Sequence, residues 1–237
     1  MKKLLMAAVM MAPLFGENII GLQYKGVTIQ YIASDGAEKN VTLERHIDPK
    51  CLYVEISNDM IWKGGYASRE VPEECKAVFV TSVGQIQPLS IDPEIETYAE
   101  LEVLAFIEKM QEDSGMLLVD TRTEPWYAYR TIPGSVNIPH HYISKPNSFP
   151  DNFKNSLAIL GVKTKEGIYD FSGAKIITLY CNGSWCGQSP SMIKSLLNIG
   201  YPAKKIKWYR GGIHDWLSLS MTTVLPHDRS KRASGPK

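Results

Sequence analysis

The sequence predicts an α/β fold, a parallel sheet flanked by helices, preceded by a small β-rich domain. Three observations predict it. Short apolar runs at Met116–Val119, Lys175–Tyr180 and Ile206–Tyr209 alternate with stretches of helical periodicity, the texture of a parallel sheet covered on both faces. Each run gives way to a polar residue or glycine, at Asp120, Cys181 and Arg210-Gly211-Gly212, and in open α/β sheets ligands bind at such strand ends. Before about residue 92 the texture differs, with β-rich runs separated by turn signals.

The elements follow in order. Met1-Lys2-Lys3 and the apolar stretch Leu4–Phe15 read as a basic region and an apolar core too short to span a bilayer, so residues 1–16 are read as a signal peptide. The chain is then expected to be exported, in a bacterium periplasmic, with no membrane span. The alternative is an apolar first element of the fold. Residues 17–92 form the β-rich domain, with runs at Val27–Ile32, Val41–Leu43, Leu52–Ile56, Val78–Thr81 and Ile86–Leu89. Cys51 and Cys75 would staple it, a closure that typically contributes about 2 to 4 kcal/mol. Residues 93–226 form the α/β domain, and 227–237, with Arg229, Lys231 and Arg232 among small and polar residues, a flexible tail.

Composition removes several function classes. The 237 residues are 44% apolar and 22% charged, an ordinary globular balance, and the net charge of +1 supplies no field to draw nucleic acid or an anionic membrane. The chain has four cysteines, and neither pair, Cys51 with Cys75 or Cys181 with Cys186, has a histidine at zinc-ligand spacing. Nothing points to a metal, nucleotide or flavin, and no cofactor is expected.

Within the α/β domain, Tyr98, Leu101, Val103, Leu104, Phe106, Ile107 and Met110 have the spacing of an amphipathic helix. A second helix follows Cys181, with Ser189 as N-cap, Pro190 in the first helical position and Gly200 as its stop. Cys181 therefore falls between a buried strand and the positive end of a helix. The loop Asn182-Gly183-Ser184-Trp185-Cys186-Gly187-Gln188, together with Ser189, can turn backbone N–H groups inward and favour a thiolate or a bound anion, lowering the thiol pKa. The alternative is that Cys181 is a buried small hydrophobe.

Three stretches carry a resemblance: Leu117–Pro139, with Asp120-Thr121-Arg122 and Ile132-Pro133-Gly134 followed by Asn137-Ile138-Pro139; Ile176–Tyr201; and Trp208–Trp216 with its Gly-Gly-x-x-x-Trp. In this order they resemble the rhodanese-like domains over roughly residues 96–225. The resemblance implies a rhodanese-like fold and sulfur transfer through a persulfide on Cys181, from a small donor such as thiosulfate to a thiol or cyanide. It also implies that Asp120 and Arg122 brace the active-site side of the sheet, through a salt bridge holding the loop 123–132, while Pro133, Gly134 and Trp216 serve folding. The loop departs from the family pattern. Six residues separate Cys181 from Gln188, where the family has four before a basic residue, and Gln188 is neutral. With no guanidinium in the loop to hold a phosphoryl group, phosphatase chemistry is not expected. Arg130 stands near the family's Gly-His position, either as a substitute charge or as a solvated side chain.

Three readings remain open from sequence: a sulfurtransferase; a thiol-disulfide or sulfur-relay module in which Cys186 is the resolving thiol for Cys181; and a non-catalytic binding domain whose N-terminal region recruits a protein partner.

Overall fold

A computed structural model describes residues 26–33, 36–44 and 85–226. Cys51, Cys75, the expected signal peptide, the runs at Leu52–Ile56 and Val78–Thr81 and the tail from 227 lie outside the described residues.

An antiparallel hairpin opens the described chain, β1 (Val27–Ile32) and β2 (Glu38–Leu43). The sheet that follows has five parallel strands: β3 (Glu96–Tyr98), β4 (Met116–Asp120), β5 (Val136–Asn137), β8 (Ile176–Tyr180) and β9 (Ile206–Tyr209), in the order β3-β9-β8-β4-β5. A small hairpin, β6 (Lys163–Lys165) and β7 (Ile168–Asp170), stands apart from it. Helices α1 (Glu100–Met110), α2 (Glu124–Tyr129), α3 (His140–Ser144), α4 (Pro150–Ile159), α5 (Gln188–Asn198) and α6 (Gly212–Ser218) provide the connections. Among the described residues no helix is long and apolar enough to cross a membrane.

Alternation along the central strands divides the core in two. Val119, Leu179 and Trp208 face one way and pack with Ile143, Leu157, Met192, Ile193 and Leu196. Their neighbours Leu118, Tyr180 and Tyr209 face the other way and pack with Leu104, Ile107 and Trp216. Both faces are dry, so the strands are apolar at nearly every position; burying one Leu or Val fully is worth about 1.5 to 3 kcal/mol.

The sequence reading is corrected in three places. Tyr98 is not helical: it pairs with Tyr209 in the sheet, and the chain turns into α1 at Ala99, whose N–H donates to the Glu102 carboxylate at 3.0 Å. Ile86–Leu89 forms no strand, because its hydrogen bonds go to a loop and to an arginine side chain rather than to a ladder. Ser189 is not the cap of α5: the helix begins at Gln188 after Gly187, which leaves Ser189 buried in the first turn with its hydroxyl on Thr121. The β1–β2 hairpin packs on the α/β unit. Val27, Ile29 and Leu43 are buried in the cluster that holds Val103, Phe106 and Ile107.

Candidate active site

The ends of β4 and β8 are adjacent, with Asp120 paired to Tyr180, so the residues that follow each strand emerge side by side. Thr121 bridges them. Its N–H and hydroxyl both donate to the Tyr180 carbonyl, at 2.9 and 2.8 Å, and its oxygen lies 2.9 Å from the Ser189 hydroxyl. One residue beyond Tyr180 stands Cys181, 1% exposed.

Two glycines shape the loop. Gly212 has φ +60, and a Cβ there would lie 2.4 Å from the Cys181 carbonyl and 2.9 Å from the Gly183 nitrogen. Only a residue without a side chain lets α6 approach so closely that Ile213 and His214 donate their N–H groups to the carbonyls of Cys181 and Asn182, at 3.0 and 2.9 Å. Gly183 leaves room for the Trp185 indole, since a Cβ would sit 2.9 Å from its Nε1. The Cys186 N–H closes the turn on the Gly183 carbonyl at 2.9 Å. The buried Nε1 of Trp185 and Oε1 of Gln188 have no hydrogen-bond partner in the structure.

Cys181 and Cys186, both buried free thiols, form one acid pair. The Cys181 thiol donates to the Cys186 carbonyl at 3.3 Å. Burial pushes the Cys181 pKa well up, and the hydrogen bond and charge of Cys186 push it further, against the Ser189 hydroxyl and N–H. Cys186 is lowered to about 6: the hydrogen bond from Cys181 is the main cause, burial opposes it, and the N–H groups of Gln188 and Asn182 and the charge of Arg122 assist. The expectation of a lowered pKa at Cys181 is therefore corrected. The loop thus holds one negative charge shared between two sulfurs that titrate as a pair.

Asp120, paired with Tyr180 across the sheet, and Arg122 form a buried ion pair. The Arg122 Nε donates to both Asp120 oxygens at 2.9 and 3.1 Å, and its Nη2 reaches Asp120 Oδ2 and the Arg130 carbonyl, each at 2.5 Å. The Thr131 hydroxyl donates to the same carboxylate at 2.9 Å, which ties down the segment after α2. Burial works to lower the Arg122 pKa, but the hydrogen bonds and charge of Asp120 hold it above its ordinary value. Arg122 is thus a buried cation that acts on both sulfurs. Arg130 is exposed and contributes its carbonyl.

The structure brings together Cys181, Cys186, Ser189 and, from another strand, Arg122. Sequence reasoning missed Thr121, Arg210 and the electrostatic reach of Arg122. Thr121 and Arg210 each had a signal in their place at a strand end, but the partners of Arg210 are main-chain atoms more than a hundred residues away and left no trace in the sequence. Among the described residues no group of three or more His, Cys, Asp or Glu could hold a metal ion.

The fold and site define an α/β domain with a glycine-shaped loop holding two buried thiols at the carboxyl edge of a parallel sheet. Residues 104–219 match the family model of the rhodanese-like domain, and the chain carries a rhodanese-like domain there. No curated protein matches the chain. Solved structures similar to it include a Bacillus halodurans protein (19% identity, 60% of this chain and 90% of that one, TM-score 0.37). An Escherichia coli rhodanese with anions is similar at 19% identity, over 46% and 96% of the chains, with TM-score 0.27. A Pseudomonas aeruginosa thiosulfate sulfurtransferase is similar at 20% identity, over 57% and 21% of the chains, with TM-score 0.35.

Proposed function

We propose that this protein is a sulfurtransferase that carries sulfane sulfur on Cys181. The observation that supports it best is the sulfur's position in a family-matched domain, at the carboxyl end of β8 beside the Ser189 hydroxyl and N–H. In the first half-reaction Cys181 gives up its proton to solvent and, as thiolate, attacks the outer sulfur of thiosulfate. The sulfur–sulfur bond of thiosulfate breaks, sulfite leaves with the bonding pair, and Cys181 becomes a persulfide. An acceptor thiolate or cyanide then takes the outer sulfur and returns Cys181 as thiolate. Arg122 and the loop N–H groups offset the negative charge at each stage.

A second reading is favoured by the acidity of Cys186 and its contact with Cys181. The Cys186 thiolate attacks the inner sulfur of the persulfide, the two cysteines join as a disulfide, and the outer sulfur leaves as hydrosulfide. The sulfane sulfur is reduced by two electrons and the two thiols are oxidised, so a dithiol reductant must restore the pair.

Intact mass after incubation with thiosulfate separates these readings. The first expects a gain of about one sulfur atom that a dithiol removes and that Cys181→Ser abolishes. The second expects that gain to decay to a Cys181–Cys186 linkage, and expects a longer-lived persulfide in Cys186→Ser. An unchanged mass with both thiols free would overturn transfer and leave a binding role.

A further inference from the structure

The segment just upstream of the sheet, Gln85–Pro88, lies along the Cys181 loop as a strap. The Gln85 N–H donates to the Trp185 carbonyl at 3.1 Å, and the Gln87 N–H donates to the Ser184 carbonyl at 2.8 Å. The Gln87 amide folds back to the Gln85 carbonyl at 2.8 Å and stands 3.9 Å from where a Cβ on Gly187 would lie. The strap therefore follows the loop from Ser184 to Gly187, the stretch that contains Cys186.

A second attachment comes from below. Arg210, directly after β9, donates from Nη2 and Nε to the Gln87 carbonyl at 2.8 and 3.2 Å, and from Nε to the Pro88 carbonyl at 3.1 Å. Core packing does not hold the strap, since Ile86 is 86% exposed. Its attachment consists of main-chain hydrogen bonds and one guanidinium, which is the makeup of an element that opens locally without unfolding the domain. The same β9–α6 turn that carries Arg210 brings Gly212 against the Cys181 carbonyl, so the latch and the loop share one rigid support.

We propose that the strap, latched by Arg210, sets an upper size for what reaches the thiol pair. Small anions and alkylating agents pass with the strap closed, whereas a bulky sulfur donor or acceptor requires the latch to release. This inference concerns the site of the proposed sulfur transfer, but it is tested by thiol accessibility and so stands or falls separately from turnover.

The experiment compares alkylation of Cys181 and Cys186 in the full-length reduced protein by iodoacetamide and by a maleimide carried on a polyethylene glycol chain, with adducts assigned by peptide mass. In Arg210→Ala the polymer reagent should gain at least about tenfold in rate relative to iodoacetamide, since the change removes all three hydrogen bonds from the guanidinium and a single charge-assisted one is worth about that factor. Gln87→Pro, which removes the donor to Ser184 and leaves Arg210 in place, should move the ratio in the same direction. Should one variant fail to fold, the other carries the test. A ratio that stays at the wild-type value, or a parallel rise for both reagents, would overturn the proposal. Thiosulfate loading of the same samples reports on sulfur transfer independently.

Discussion

At the residue scale, the informative pair is Cys181 and Cys186. A helix terminus and a ring of N–H groups argue from sequence for an acidic Cys181; in the structure burial raises Cys181, and the hydrogen bond from Cys181, against burial, lowers Cys186. Removing the donor that chiefly lowers Cys186 should therefore raise it. In Cys181→Ala the thiolate absorbance of Cys186 should titrate at a pH above 6, while in the wild type the first thiolate appears as pH rises through about 6. An identical midpoint in the variant would show that the loop N–H groups and Arg122 alone set it.

At the element scale, the β9–α6 turn decides whether the loop can form. Gly212 combines a left-handed φ with a carbonyl 2.4 Å from any added Cβ. Gly212→Ala should cost about 1 to 3 kcal/mol from backbone conformation alone, and more from the clash with Cys181. The expected result is a lower midpoint of denaturation together with loss of persulfide loading, checked by urea unfolding and intact mass. The stability of a Gly211→Ala variant offers a contrast, since an added Cβ there meets the Asp215 side chain at 2.6 Å, which can move, rather than backbone. The β8–loop–α5 unit was legible in sequence because strand, cysteine, glycines and helix are contiguous; the start of α5 was not, because the choice between Gly187 and Ser189 as its first cap depends on Thr121 taking the serine hydroxyl.

At the scale of the whole molecule, the β1–β2 hairpin shares a core with the α/β unit. Ile29 and Leu43 are buried against α1, and the Thr222 hydroxyl joins the Thr42 carbonyl to the Glu44 N–H, each at 3.0 Å. Ile29→Ala should destabilise the entire domain by about 2 to 5 kcal/mol, as large-to-small core changes do, with a single cooperative transition. A separate early transition for the hairpin, seen by hydrogen exchange, would contradict the shared core.

The sequence by itself determined the parallel sheet, its three central strands and the helix after Cys181. These are written locally: apolar runs of strand length, a cap-and-stop pattern, and glycines beside a cysteine all act between near neighbours in the chain. Only the tertiary structure decided that the two sulfurs titrate as a coupled pair, that the Asp120–Arg122 pair is buried within electrostatic reach of them, and that Gln85–Pro88 lies along the loop with Arg210 on its carbonyls. Those outcomes depend on desolvation and on hydrogen bonds between segments far apart in sequence, and neither leaves a periodicity or spacing to read, because the partners are brought together by packing of the whole sheet.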